Sequence, residues 1–441
     1  EIGVLAGVLK SAPRLSGENL TAYLALGFVP PPETSFRDIK RVSAATYATV
    51  HRGALQHRER YWSLPPLRAP KGRPQPLTEA NLDLISEALT TSISRRLIAD
   101  ASLCLFLSSG VDSALIAAIA TRELNARLSS LTVSFPHGST HDESDDAAAI
   151  ADYLNLDHKI VRSTSDPRHN GPEMVLDLFG QPCDELPALA ILQMSHLAAL
   201  EHKVALTGMG GDEVFLGYGK HAFFYENRRY YRLPEFSRLG LGFIARLFGR
   251  FINKFEQTGY CFGVRDYERY LAHKCFPAIR WYQELGNYNV WCKKVFSSPN
   301  EPIEFAVPRN EIDYFMPGGR LVSMDVASMR ASLELRTPYL SRNVVELVAS
   351  LDPRSFMGFG QKSALRRILK RYLPEHLVDK PKRGFKYPAD TYLSHFSQVP
   401  YLEQIPKSMI HEAWSHRLSG RGWTNLAVRI ATAQFFLGRS A

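Results

Sequence analysis

Two short runs combine small residues with an acid in a way that suits phosphate and metal chemistry. The first is LFLSSGVDSALIAAIA. Ser108, Ser109, Gly110, Val111, Asp112 and Ser113 stand there between an apolar run and an Ala-rich one. Small residues let a backbone turn tightly around a ligand. A turn that opens a helix offers backbone N–H groups and positive potential to an oxyanion or phosphate. Ser108 and Ser113 add hydroxyl donors for the same phosphate. Asp112 is negative and repels phosphate, so its natural use is to hold a metal ion that neutralises it. The run lacks the lysine of the GxxxxGKS loop, and it is not GxGxxG. An ordinary strand-to-helix turn capped by Ser or Asp has the same composition, so this run alone leaves both readings open.

The second run is ALTGMGGDEVFLGYG. Gly208, Gly210 and Gly211 surround Met209, and Asp212 and Glu213 follow. Three glycines in four positions are costly without a backbone reason. If both acids sit at strand ends of one sheet, Asp112 and Asp212 can share a Mg²⁺, with triphosphate oxygens and water completing its octahedron. Two surface turns remain the bland alternative.

The elements around these runs predict such a sheet. Leu82, Ile85, Leu89, Ile93 and Leu97 recur at helical spacing. LCLFL, LSSLTVSF, HKIV and KVALTG read as short buried strands, with helical stretches between them. Strand and helix in alternation predict an α/β fold with a doubly wound parallel sheet, and ligands in such sheets sit beyond the carboxyl ends of the strands. Residues 220–310 are rich in aromatics and Arg and read as helices packed on that unit. Residues 320–441 read as mostly helical.

Residues 1–75 have another texture. SGENLTAYLALG predicts a short helix near Ser16, and three consecutive prolines mark a turn. TYATVHRGALQHRERYW predicts a hairpin with Arg52 and Gly53 at its tip. The Pro-rich stretch LPPLRAPKGRPQP reads as a linker, which divides the chain into residues 1–75 and 76–441.

Composition narrows the class. The chain has 441 residues, 45% hydrophobic and 22% charged, which is ordinary globular usage. Its net charge of +9 comes without a basic run, so nothing calls for nucleic acid. No run of 18 apolar residues predicts a membrane span. Five scattered cysteines without a CxxC pair fit reduced thiols and a cytoplasmic enzyme.

SSGVDS resembles the SGGxDS pyrophosphate loop of the ATP pyrophosphatases, and GMGGDE resembles the second acidic loop of their asparagine synthetase branch. Three further segments look like that branch in the same order. They are HDESDDAAAIADYLNLDH (141–158), MDVASMRASLELRTPYL (324–340) and KSALRRILKRYLPEHLVDKPKRGFKYP (362–388). The ordered set, over roughly residues 80–390, is far more specific than any one motif. The relatives include β-lactam synthetases and lasso-peptide macrolactam synthetases. The resemblance implies an adenine nucleotide alpha-hydrolase type of sheet with a largely helical C-terminal part. It also implies ATP and Mg²⁺ as cofactors, and an ATP-dependent, AMP-forming carbon–nitrogen ligase. Such an enzyme adenylates an aspartate-like or peptide carboxylate, releases pyrophosphate, and passes the acyl group to an amine or ammonia.

By the same resemblance, residues 108–113 cradle pyrophosphate and Asp112 and Asp212 bind the metal. Val133, Ser134, Phe135 and the backbone at Gly208 hold the nucleoside. Lys382 offsets charge during chemistry, Lys362 is a second phosphate ligand, and Glu334 orients the amine or takes its proton. On the residues alone, Lys382 and Lys362 also read as a solvated basic face and Glu334 as a plain helical glutamate. Asp142 and Glu143 read as caps of the following helix.

Residues 1–75 look like the junction to an N-terminal glutaminase domain. That domain's nucleophile is an N-terminal Cys, whereas this chain starts at Glu1 and has no Cys before Cys104. No glutaminase activity is therefore expected of this chain, and ammonia would come free, from an upstream glutaminase domain, or not at all. Three departures matter. Ser109 replaces the family's first glycine, and Ser341 replaces an Asp. Met209 stands where asparagine synthetases carry Glu and β-lactam-forming relatives carry Tyr; it offers an apolar wall and no donor. These favour a substrate other than free aspartate. Beside a general amide synthetase stand a macrolactam-forming enzyme acting on a precursor peptide and an inactive scaffold relative.

Overall fold

The computed structural model describes residues 2–12, 14–15, 17–65, 77–134, 142–163, 171–249, 259–296, 301–357, 360–380, 387 and 389–439. Its centre is a five-stranded sheet, parallel throughout. The strands are β3 (Leu103–Phe106), β4 (Ser129–Ser134), β5 (Asp157–Arg162), β6 (Val204–Leu206) and β7 (Glu334–Arg336), in the order β5-β4-β3-β6-β7. β3 shows why both faces are covered. Cys104 and Phe106 enter one hydrophobic core, and Leu105 and Leu107 enter the other. A strand buried on both sides must be apolar at every position, which is how LCLFL reads.

The helices α1 (Ile2–Leu9), α2 (Glu18–Leu26), α3 (Glu79–Leu97), α4 (Val111–Ala118) and α5 (Ser144–Leu154) precede α6 (Pro187–Ala198), α7 (Gly211–Val214) and α8 (Gly219–Glu226). Then come α9 (Leu321–Arg330), α10 (Ser363–Leu369) and α11 (Arg421–Arg439), with further helices between them. α3 follows its predicted spacing: Leu82, Ile85, Leu89 and Ile93 are buried. Thr78 caps it, accepting from the Asn81 N–H while Asn81 returns the bond. No helix among the described residues is long and apolar enough to cross a membrane.

Two elements differ from the sequence reading, and a third, expected, lies deeper than its texture suggests. β7 is a strand where SLELR read as helical; it extends the sheet beside β6. Residues 2–9 form α1, for which the sequence reading gave no element. α2 is the short helix expected near Ser16, and it is central to a core. Tyr23, Leu24 and Ala25 are fully buried in the core that α11 completes. Arg429 of α11 donates to the carbonyls of Leu24 and Ala25 at 2.6 and 3.1 Å and pairs with Asp184 at 2.5 Å. Tyr23 returns a hydroxyl bond to the Arg429 carbonyl at 3.1 Å.

The predicted hairpin is present as β1 (Thr46–His51) and β2 (Ala54–Arg60), and β2 is exposed throughout. Arg52 and Gly53 both have positive φ, 49° and 77°, which suits a two-residue turn between twisted strands.

Candidate active site

The chain runs β3 to β4 to β5 in one direction, then returns to place β6 and β7 on the other side of β3. The crevice between β3 and β6 is therefore the topological switch point, where ligands of open α/β sheets bind. Register aligns Cys104 with Ala205 and Leu105 with Leu206. The loops after β3 and β6 therefore leave the sheet side by side, and these are the two acidic runs.

The first loop is shaped by its own hydroxyls. The Ser108 N–H donates to Ser113 Oγ at 3.0 Å, and the two serine hydroxyls lie 2.9 Å apart. The Gly110 N–H donates to Ser108 Oγ at 3.2 Å. Ser109 takes a different partner, donating to Glu143 at 2.7 Å across the site. The side chain of Val111 is buried.

The glycines of the second loop have a steric reason. A Cβ on Gly208 would lie 2.9 Å from Asp112 Cβ, and one on Gly211 only 2.5 Å from Asp112 Cγ. A Cβ on Gly217 would fall 2.0 Å from Asp212 Oδ1 and 2.2 Å from Lys362 Cε. Gly210 has φ 94°, a conformation that glycine adopts readily. The backbone of this loop is thus the wall against which both acids and one lysine are packed.

That lysine is Lys362, 7% exposed, at the N-terminal boundary of α10. Its ammonium donates to Asp112 and lies 2.8 Å from Asp212 Oδ1. Burial works to lower its pKa, but Asp112 and Asp212 outweigh burial and raise it. Its backbone is left-handed, φ 56°, which costs a non-glycine residue about 1–3 kcal/mol. The sequence ranked Lys362 below Lys382. The structure brings Lys362 between the two acids, while Lys382 lies outside the described residues.

Behind Asp212 its neighbour Glu213 points inward. It accepts from the Tyr218 hydroxyl at 2.5 Å and pairs with Arg320 at 2.8 Å. Arg320 also pairs with Glu311 at 2.8 Å, and Glu311 with Lys220 at 2.5 Å. Burial opposes charge on Glu311, yet Lys220 and Arg320 hold its carboxyl far below the usual range. α7 is one turn with two faces. It aims Asp212 at the crevice and anchors itself through Glu213. Nothing in the local pattern of VFLGYG signals Arg320 as the partner; the pairing spans 107 positions.

The other expected residues divide. Val133 is buried in the core, so only its main chain faces outward from that strand end. Ser134 donates to Asp142 at 2.7 Å. Asp142 accepts the Ser144 N–H at 3.0 Å, as a helix-entry cap does. Glu143 makes no side-chain cap and serves Ser109 instead. Met209 is half-buried and packs on the core beside the loop. Glu334 is not brought to the crevice. It pairs in register with Val204, at the amino end of β6, and its carboxylate holds Arg336 at 2.8 Å. Phe135 lies outside the described residues.

The donor set fits Mg²⁺. Among the described residues no three His, Cys, Asp or Glu side chains cluster as a complete protein cage. Two carboxylates converging on one cationic atom are the arrangement Mg²⁺ takes when substrate phosphates and water supply its remaining ligands. A cavity of about 550 Å³ lined by Glu235, Arg265, Tyr267, Glu268, Gln283, Asn289 and Lys293 shares no residue with the two loops, so its size carries no claim to this chemistry.

Comparison with known proteins supplies the family. The asparagine synthase family model matches residues 84–407, from within α3 to beyond α10. The putative glutamine-hydrolysing asparagine synthetase of Mycobacterium tuberculosis H37Rv is 29% identical over 396 residues, which is 85% of this chain and 58% of that protein. Asparagine synthetase 1 of Bacillus subtilis 168 is 25% identical over 416 residues, 91% of this chain and 63% of that one. The amidase chry2 of Gibberella zeae matches 42% of this chain at 27% identity, over 30% of its own length. The chain thus spans less than two thirds of the length of the synthetases it matches. Because the matched region holds both acidic loops, the β3–β6 crevice and Lys362, the chain belongs to the asparagine synthase family.

Proposed function

We propose that the chain is an ATP-dependent carbon–nitrogen ligase that makes an amide from a carboxylate and an amine or ammonia. A carboxylate oxygen attacks the α-phosphorus of ATP, the bond to the β-phosphate breaks, and pyrophosphate leaves. The nitrogen nucleophile then attacks the acyl carbon, the acyl–oxygen bond to AMP breaks, and the amine loses its proton. The observation that carries this reading is the convergence of Asp112 and Asp212 on one cation at the switch point.

In this reading the Ser108–Ser113 turn receives the pyrophosphate, with Ser109 held at its edge by Glu143. The main chain at Val133, Ser134 and Gly208 flanks the nucleoside. Asp112 and Asp212 hold Mg²⁺, which when bound draws charge from the departing phosphates. Lys362 and Lys382 serve as mobile point charges for phosphate oxygens. Glu334 has no part, because it sits at the amino end of the sheet.

All five cysteines are buried, and burial pushes the Cys104 and Cys261 thiols up to about 12. A buried, protonated thiol is a poor nucleophile, so this span supplies no glutaminase centre. Nitrogen arrives as free ammonia, from a glutaminase unit, or as a substrate amine. Met209 favours a second reading, ring closure on a peptide side-chain carboxylate by an internal amine, because this half-buried position of the second acidic loop packs on the core and offers no hydrogen-bond donor. The test is product analysis with ATP, Mg²⁺ and a panel of free and peptide-borne carboxylates. AMP and pyrophosphate in equal amounts are expected. ADP formed in step with amide rejects the mechanism.

A further inference from the structure

We infer that Lys362 is an internal cation standing in the divalent ion's place between Asp112 and Asp212, so that the metal enters with the nucleotide and not before it. This rests on the reading of the two acids as the cation site, and it adds how that site is kept. A single ammonium reaches both carboxylates. The lysine is 7% exposed, so bulk water does little to screen it from an arriving cation. A divalent ion placed on the same carboxylates would face a positive charge within contact distance, and one of the two must go.

The surroundings are cut to this lysine. Gly217 leaves room where a Cβ would lie 2.2 Å from Lys362 Cε. Any side chain there would break the contact between the lysine and Asp212, since the same Cβ would also lie 2.0 Å from Asp212 Oδ1. The departure route is also built in. Lys362 opens α10 from a left-handed backbone position two residues after Gly360, itself at φ 94°. A modest dihedral change at these junction residues swings a four-carbon stem without unwinding the helix. Triphosphate oxygens at the Ser108–Ser113 turn give the ammonium a second set of anions. The swing therefore exchanges one charge-assisted contact for another, and it frees both carboxylates as metal ligands.

The test uses Mn²⁺ as the probe, read by the loss of its free-ion electron paramagnetic resonance signal, with the full chain. Without nucleotide, the unaltered protein is expected to bind Mn²⁺ at least 10-fold more weakly than Lys362→Met. Lys362→Arg, which keeps the charge, is expected to bind no more tightly than the unaltered protein. With a non-hydrolysable ATP analogue, Mn²⁺ bound beyond what the analogue alone binds is expected to show an affinity for the unaltered protein at least 10-fold higher. The analogue's own affinity must then rise with Mn²⁺ by the same factor. If Lys362→Met does not fold, the two measurements on the unaltered protein still decide. Tight Mn²⁺ binding by the nucleotide-free protein overturns the inference and leaves the cation site standing. With the analogue present, Mn²⁺ binding no greater than that of the analogue alone overturns both.

Discussion

Replacing Gly211 by alanine tests whether the second loop exists to give Asp112 room. The backbone at Gly211 is not in the positive-φ region, so alanine brings no conformational strain. The whole effect is the methyl group. It would lie 2.5 Å from Asp112 Cγ and 2.6 Å from Oδ1, against 3.4 Å where ordinary contact begins, so the carboxylate must withdraw by about 0.9 Å. Overpacking of this kind costs about 1–3 kcal/mol of stability. The catalytic cost is larger in proportion, since a displacement near 1 Å at a reacting centre costs about 100-fold. The assay is AMP and pyrophosphate release with any accepted carboxylate, beside a thermal unfolding curve. Gly219→Ala is the matched control. Its methyl would meet only Gln361 Nε2, at 3.9 Å, and it should leave both readouts unchanged. A folded Gly211→Ala protein with a rate within threefold of the parent would refute the reasoning. So would an equal loss in Gly219→Ala.

Glu213→Leu should destabilise the fold by about 3 kcal/mol, because it strips Arg320 of one of two buried partners. Glu334→Gln breaks an exposed pair and should cost under about 1 kcal/mol with activity retained; a large activity loss would return Glu334 to the site. Burial, then Lys220, pushes the His221 imidazole down to about 3, so its ring stays neutral in the fold while the unfolded chain protonates below pH 6.5. Stability from this group is therefore complete above pH 6.5 and falls by about 1.4 kcal/mol for each unit below it. Urea midpoints between pH 6.5 and 5 should flatten in His221→Asn. Thiol reagents should label none of the five cysteines in the native protein and all of them in urea.

The parts legible in the sequence were those written locally. β3 and β6 are short apolar runs that end in small residues, and a two-faced buried strand leaves no other composition. The acid after each run marked the crevice. Lys362 was legible as a second phosphate ligand by resemblance, but not as the partner of the two acids, because that contact lies 250 positions away from Asp112. Glu213 and Arg320 were hidden for the same reason. β7 is three residues long, too short for alternation to separate it from the end of α9. α2 did carry a signal: NLTAYLALGFV is apolar around most of its circumference, which marks a helix enclosed on all sides.

The grip of Arg429 on Leu24 and Ala25 also orders events at the ribosome. The two contacts span 405 and 404 positions, so α11 is made some 400 residues after α2. At roughly 5–20 residues per second, α2 waits about 20–80 s for the helix that covers it. During that interval Tyr23, Leu24, Leu26 and Phe28 lack the neighbour that completes their burial. The nascent chain thus carries an apolar helix without its cover until α11 is made.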